Sequence, residues 1–170
     1  MEVKILDVDV EVLQLKLSEL KAKKVFDDIR IITYFKNQKD NREPFLKLTE
    51  EGEKLKISSQ NNQTHEEVKL FISRKDECTQ LLATLGCLPI SEVKAHRISY
   101  ELGTIDFDVD EFPGIPPFLE IDLGENPSIS FEELVSQFQL QSNKKGQYST
   151  PEIVAIYGKN YFNEYKIASS

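Results

Sequence analysis

The feature that most constrains the fold is an internal repeat at a spacing of 65 residues. Glu2–Ile5 reads Glu-Val-Lys-Ile, and Glu67–Leu70 reads Glu-Val-Lys-Leu. After each stretch, apolar residues recur every three or four positions, which is the spacing of one helix face. These residues are Leu13, Leu17 and Leu20 in the first half and Cys78, Leu82 and Leu85 in the second. Each half therefore reads as a strand, a helix and then a run of alternating, antiparallel strands.

Two halves of this kind predict an α+β fold with an internal pseudo-twofold axis and one shared antiparallel sheet or barrel. We place the pseudo-repeats at about 1–62 and 66–125, inside a single domain that covers 1–170. Flanking C-terminal helices are expected within 130–166. Ser130 and Glu133 form a capping-box pattern there, which marks the beginning of a helix.

Alternation in the predicted strands gathers charged side chains on one face of the sheet. The sets that share a face are Glu2 with Lys4, Lys47 with Thr49, Lys54 with Lys56, Glu67 with Lys69, Asp106 with Asp108 and Asp110, and Glu120 with Asp122. A sheet with one solvated face explains such rows without any function. However, same-face neighbours lie only about 6.6 Å apart, so rows of carboxylates repel unless cations or solvent relieve them. If the sheet closes with this face inward, it forms a charged tunnel whose oxygen ligands suit Mg²⁺ or Mn²⁺.

The charge balance restricts the partners of the chain. The 29 acidic residues exceed the 21 basic ones, which gives a net charge of −8. This balance argues against binding to nucleic-acid polymers or to anionic membranes, because both depend on dense positive charge. No apolar run approaches the roughly 20 residues that cross a bilayer. With no CxxC pair and no secretory segment, Cys78 and Cys87 are expected to be reduced and the protein cytoplasmic.

Three segments resemble the CYTH superfamily of triphosphate tunnel metalloenzymes. Glu2–Ile5 is similar to the second half of its ExExK signature. Arg97–Asp122 is similar to its "RxxYxLG…D…G…FxEIE" run, and Pro151–Gly158 is similar to its closing helix. The resemblance covers nearly the whole chain and is greatest to the branch of class IV adenylate cyclases and tripolyphosphatases.

The resemblance implies an eight-stranded antiparallel β-barrel that forms an open tunnel, built from two fused halves and flanked by helices. Members hold a triphosphate-bearing small molecule with basic side chains and bind divalent cations on acidic ones. They hydrolyse a phosphoanhydride or cyclise a nucleotide. For this chain, the resemblance implies a small phosphorylated substrate or ligand and Mg²⁺ or Mn²⁺ as cofactor. It also makes a homodimer possible.

The resemblance also implies roles for individual residues. The metal ligands would be Glu2, Glu120 and Asp122. The side chains that contact phosphate oxygens would be Lys4, Lys47, Lys56 and Arg97. Glu67 or Asp110 would hold a second ion or orient the attacking water. The chain departs from the family pattern at four positions where basic residues are typical, namely Thr49, Gln60, His65 and Asp106.

Three interpretations follow. The first, our main prediction, is a metal-dependent enzyme, either a class IV adenylate cyclase-like enzyme or a triphosphatase, that acts on a triphosphate compound. The second is a catalytically impaired tunnel domain that binds a phosphorylated ligand or a divalent cation without efficient turnover. The third is a solvated interior whose charges neutralise one another.

Overall fold

The structure is a computed structural model that describes residues 2–39, 46–60 and 67–167, with the backbone alone at Gln60. His65, where the resemblance implies a basic residue, lies outside these residues. Within the described residues, no helix is long and apolar enough to cross a membrane.

The described residues form an α+β fold with nine strands and five helices, which confirms the predicted α+β class, while closure of the sheet into a barrel stays a prediction. The strands are β1 (Glu2–Leu6), β2 (Lys23–Asn37), β3 (Leu46–Glu51), β4 (Lys54–Gln60), β5 (Glu67–Ile72), β6 (Cys87–Leu102), β7 (Ile105–Glu111), β8 (Phe118–Asp122) and β9 (Lys145–Gly146). The helices are α1 (Val10–Glu19), α2 (Lys75–Thr84), α3 (Phe131–Gln137), α4 (Thr150–Ile156) and α5 (Tyr161–Glu164).

The strands form one sheet in the order β5-β4-β3-β2-β6-β7-β8-β1-β9. The pairs of known register are all antiparallel. Over the described ranges, the sheet contains one strand more than the eight predicted, and the additional strand is the two-residue β9, which pairs with β1.

The element order repeats as the sequence pattern predicted, with strand, helix and three strands in each half. Helix α1 begins at Val10 and α2 at Lys75, so the two helices begin 75 − 10 = 65 residues apart. The chain also divides into two compact units. The first unit is 1–28 with 95–153, and the second is 29–94 with 154–170. The long strands β2 and β6 each contribute to both units, so the units differ from the sequence halves. A single tunnel domain over 1–170 stays a prediction.

The core of the first unit lies between the sheet and the helices α1 and α3. Asp9 caps α1 by accepting a hydrogen bond from the Val12 backbone N–H at 3.0 Å. The capping box at Ser130 and Glu133 forms as predicted and begins α3. The apolar faces of both helices pack onto apolar strand residues. The fully buried members of this core include Ile5, Leu13, Leu17, Ile105, Phe107, Leu119, Ile121 and Leu134.

The second unit has a smaller core on the corresponding side of its strands. Phe35, Leu48, Leu82 and Cys87 form this core. Cys78 packs at its edge, and both cysteines are free thiols. The repeat equivalent of Ile5 is Leu70, which remains 62% exposed whereas Ile5 is fully buried. The same sequence pattern therefore produces two strands whose equivalent apolar side chains differ in solvent exposure.

This difference predicts unequal costs for matched substitutions. Ile5→Ala should lower the free energy of unfolding by about 2–5 kcal/mol, because it leaves a cavity in a closed core. Leu70→Ala should change it by no more than about 0.5 kcal/mol, because the leucine already contacts solvent. Urea titration followed by far-UV circular dichroism measures both values. Equal losses for the two variants would contradict the assigned packing.

Candidate functional site

One face of four strands in the first unit carries most of the predicted site residues. The register places Lys4 opposite Glu120, and Glu120 opposite Asp108. We call the charged residues of this face the acidic face: Glu2, Lys4, Arg97, Glu101, Asp106, Asp108, Asp110, Glu120 and Asp122. The opposite face of the same strands supplies apolar residues to the core. Strand alternation thus produces both the core and the charged face.

Arg97 and Asp110 form the buried centre of the acidic face. The Arg97 Nε donates to Asp110 Oδ1 at 2.8 Å, and Nη2 donates to Asp110 Oδ2 at 2.6 Å. A third nitrogen, Nη1, donates to Asp108, and Nη2 lies 3.7 Å from Glu120. Burial would lower the pKa of Arg97, but the charges of Asp110, Asp108 and Glu120 raise it well above its ordinary value. The two-pronged guanidinium geometry that suits phosphate is therefore used here on a carboxylate.

Lys4 joins two acids on neighbouring strands. Its ammonium nitrogen contacts Glu2 and lies 3.2 Å from a carboxylate oxygen of Glu120. Burial of this nearly inaccessible side chain would lower the pKa of Lys4, yet Glu120 and Glu2 raise it above its ordinary value. Lys4 is therefore charged throughout the physiological pH range.

Asp108 is a largely buried carboxyl group of this face whose pKa is raised above its ordinary value. Burial raises the pKa of Asp108, and the neighbouring Glu120 and Asp110 charges raise it further. Arg97 opposes this change, as does the Ser99 hydroxyl, which donates to Asp108 at 2.5 Å. Asp108 was not among the predicted site residues, although its place between Asp106 and Asp110 in the strand put it on the same face.

The second unit carries a basic counterpart on β3, β4 and β5, which we call the basic face. It carries Lys47, Lys56, Glu67 and Lys69. Lys56 stands opposite Thr49, which lies two residues from Lys47 in β3, and the β4–β5 register places Glu67 and Lys69 on this same face. Glu67 lies 3.2 Å from Lys47 and 3.0 Å from Lys69. Burial alone would raise the pKa of Glu67, but the two ammonium groups outweigh it and hold the pKa at about 2. Glu67 is therefore an ionised acceptor at neutral pH.

Aromatic side chains pack beside this face. Tyr34 stands opposite Lys47 in the register and meets the ring of Tyr161 edge to face, with centroids 5.1 Å apart. Tyr161 in turn contacts Tyr165 at 4.8 Å. Burial raises the pKa of both Tyr34 and Tyr161 well above the ordinary value. Tyr161 and Tyr165 of the C-terminal segment thus serve as packing residues at this point.

The structure brings the predicted site residues together in two groups. Six lie on the acidic face of the first unit: Glu2, Lys4, Arg97, Asp110, Glu120 and Asp122. Three lie on the basic face of the second unit: Lys47, Lys56 and Glu67. Their assigned roles as catalytic, phosphate-binding and metal-binding residues stay predictions.

The acidic face as arranged does not fit a divalent cation. Among the described residues, no three carboxylate, imidazole or thiol groups are grouped to hold a metal ion. The Lys4 ammonium lies between Glu2 and Glu120, where a shared ion would have to bind. Asp122 accepts a hydrogen bond from the Gly124 backbone N–H at 3.2 Å. The ammonium group of Lys4 thus contacts Glu2 and Glu120, two of the three acids to which the resemblance assigns the metal.

A second polar cluster of the first unit was missed at the sequence level. His96 Nδ1 lies 2.6 Å from Glu111, and Nε2 lies 2.9 Å from Asp27. Hydrogen bonding to Glu111 and Asp27 raises the pKa of His96. The Gly103-Thr104 turn predicts that Glu111 stands opposite His96 in the hairpin, but nothing local to the sequence indicates Asp27.

Solved structures share this fold. No protein-family profile and no curated protein sequence matches the chain. A putative adenylate cyclase from Vibrio parahaemolyticus superposes with a TM-score of 0.77 at 15% identity, over 91% of this chain and 97% of that one. A conserved hypothetical protein from Pyrococcus furiosus gives 0.68 at 18% identity, over 90% and 99%. HpAC1 of Hippeastrum, a putative adenylyl cyclase described as having a dominant triphosphatase activity, gives 0.61 at 14%, over 94% and 97%. At such identities, the likeness shows the fold alone.

The buried ion pair predicts a large effect of removing its cation. Arg97→Met should lower the free energy of unfolding by about 3–5 kcal/mol, because Asp110 is fully buried and would lose its compensating charge. The matched control is Arg74→Met, since the Arg74 side chain is 71% exposed and its pair with Glu77 is a surface pair. The control should cost no more than about 1 kcal/mol. Chemical denaturation of both variants tests this, and a small loss for Arg97→Met would contradict the assigned geometry.

The low pKa of Glu67 predicts acid-dependent stability. A folded-state pKa of about 2 lies below the unfolded-state value, so ionised Glu67 stabilises the fold above about pH 4.5 and loses this effect as the pH falls towards 2. Wild type should exceed Glu67→Gln by up to about 3 kcal/mol at pH 7 and by almost nothing near pH 2. Denaturation curves across this range measure the difference. Glu19→Gln, at a side chain 67% exposed, is the control and should show little difference at any pH; a pH-independent gap for Glu67→Gln would refute the assignment.

Proposed function

We propose that the protein processes a triphosphate-containing small molecule, as a nucleotide cyclase or a triphosphate hydrolase, inside a tunnel that its sheet forms by closing. The observation that carries the proposal is the shared fold, which extends over 91% of this chain with a TM-score of 0.77. A second relative in fold is described with a dominant triphosphatase activity. The gathering of charged side chains on single faces of the strands supports the same proposal, because a triphosphate needs cations around its oxygens.

The basic face is the part of the chain best suited to bind phosphate oxygens. Lys47 and Lys69 both contact the carboxylate of Glu67, which brings two ammonium groups together on this face. Lys56 adds a third positive charge on the same face. An incoming phosphate would therefore meet several lysine side chains there, and we assign the phosphate contacts chiefly to Lys47 and Lys56.

The proposed roles of the other residues follow from their contacts. Glu67, ionised at neutral pH, would accept a hydrogen bond and orient an attacking water or hydroxyl group rather than store a proton. Lys4 and Arg97 face carboxylates in this structure, so a phosphate contact from either would require a change of partner. Asp110, fully buried behind Arg97, would position that guanidinium.

The resemblance implies Mg²⁺ or Mn²⁺ on Glu2, Glu120 and Asp122. We assign this ion no role in the reaction, because the three carboxylates are not grouped to hold it among the described residues. The metal enters as a variable of the experiment. Cytoplasmic location and pairing into a homodimer also stay predictions.

A second candidate function is binding of a phosphorylated ligand without efficient turnover. The observation that favours it is that Lys4 and Arg97 are both paired with acids. On the described acidic face, each basic side chain thus already has a carboxylate partner. A domain of this kind would retain affinity through the basic face alone.

Product analysis distinguishes the two functions. ATP, thiamine triphosphate and tripolyphosphate are each incubated with the protein in Mg²⁺, in Mn²⁺ or in a chelator, and orthophosphate, pyrophosphate and cyclic nucleotide are quantified. Lys47→Met should lower kcat/KM for the accepted substrate by about 10–100-fold, because it removes a charge-assisted contact worth about 1.5–3 kcal/mol. Lys94→Met, at an exposed position of β6, is the matched control and should leave the rate unchanged.

Each result decides between specific alternatives. Product formation that depends on Lys47 supports the enzyme. Affinity for a triphosphate without product over hours supports the binding domain. Neither affinity nor product for any of the three compounds would contradict both and favour a solvated interior.

A further inference from the structure

The acidic face compensates its carboxylates with cations from the chain itself. We infer that Lys4 is a built-in counter-ion that takes the place of a divalent cation between Glu2 and Glu120. The inference concerns the charge balance of the acidic face and holds whether or not the protein turns over a triphosphate.

The position of Lys4 is set by backbone register. Lys4 stands directly opposite Glu120 in the β1–β8 pair, and its side chain is on the same face as Glu2, two residues earlier in β1. On its other side, β1 pairs with β9 through Lys4 and Gly146, so the strand is held along both edges. The ammonium group therefore reaches the two carboxylates from a fixed backbone. Only 7% of the residue is exposed, so solvent screens these contacts weakly.

Glu120 receives a second cation from the neighbouring pair of strands. Arg97 Nη2 lies 3.7 Å from the same Glu120 oxygen that Lys4 approaches to 3.2 Å. Glu120 is thus flanked by two positive side chains, which repel any further cation at that oxygen. A metal ion at Glu120 would have to overcome both charges or displace one of them.

Divalent cations and the ammonium group compete for the same oxygen atoms. Mg²⁺ requires oxygen ligands at about 2.0–2.1 Å in near-octahedral geometry, and Mn²⁺ accepts a similar set. An ammonium hydrogen-bonded to Glu2 and Glu120 occupies the space between them that such an ion would need. Removing the Lys4 charge leaves two half-buried carboxylates uncompensated, a costly state that a bound cation relieves. Loss of Lys4 should therefore create affinity for a divalent cation.

Manganese titration tests the inference without any substrate. Free Mn²⁺ is followed by electron paramagnetic resonance in wild type, Glu120→Gln, Lys4→Met, Lys4→Arg and the double variant Lys4→Met/Glu120→Gln. Lys4→Met should bind Mn²⁺ at least tenfold more tightly than wild type. Lys4→Arg retains the charge and should behave like wild type. The double variant should lose the gain, which would locate the new affinity at Glu120.

The outcomes that overturn the inference are equally definite. Wild type that binds Mn²⁺ more tightly than about 1 mM, with the affinity lost in Glu120→Gln, would show that metal and Lys4 coexist. A folded Lys4→Met with unchanged affinity would show that Lys4 does not compete. If Lys4→Met does not fold, the wild-type and Glu120→Gln titrations decide alone: weak binding that Glu120→Gln does not alter supports the inference. Because no triphosphate is present, a failure here is separate from a failure of the proposed function.

Discussion

The ion pair between Arg97 and Asp110 fixes the arrangement of the first unit. These residues stand opposite each other in β6 and β7, and their immediate neighbours Ile98 and Val109 point into the core from the other side. A slip of one residue in this register would turn carboxylates into the core and apolar residues to the acidic face. Since Asp110 is fully buried, the guanidinium must accompany it, and the pair therefore specifies the register as well as the charge balance.

The fold was predictable from the sequence because the patterns that determine it are local or repeated. The 65-residue repeat predicted a strand followed by a helix in both halves, and the alternation predicted which side of each strand is charged. The contacts within the site were less predictable. The phosphate contact that the resemblance implies for Arg97 stays a prediction, and the strand pattern did not indicate that its guanidinium pairs with Asp110 and Asp108. A charged side chain pairs with whichever opposite charge burial and register bring near, and Glu120 reaches Arg97 only through the pairing of three strands.

The extent to which each strand is buried was likewise not predictable from the spacing of its apolar residues. Ile5 and Leu70 are equivalent in the repeat and similar in chemistry, but one is fully buried and the other mostly exposed. Ile5 belongs to a core to which both α1 and α3 contribute, and β1 is paired along both edges, whereas β5 lies at the end of the described strand order. The core around Ile5 includes residues more than a hundred positions away, such as Leu134, and the spacing of apolar residues within the strand contains no information about them.

The repeat also produces two opposite charge centres from one local motif. In β1, Lys4 contacts Glu2, and in β5, Lys69 contacts Glu67, with the same separation of two residues. The third partner reverses the sign: Glu120 joins the first pair, so that one cation lies between two acids, whereas Lys47 joins the second, so that one acid lies between two cations. The cross-strand neighbour therefore decides whether an EVK segment favours cations or anions. In the first unit Lys4 thus balances two carboxylates, whereas in the second unit Lys47 and Lys69 both balance the carboxylate of Glu67.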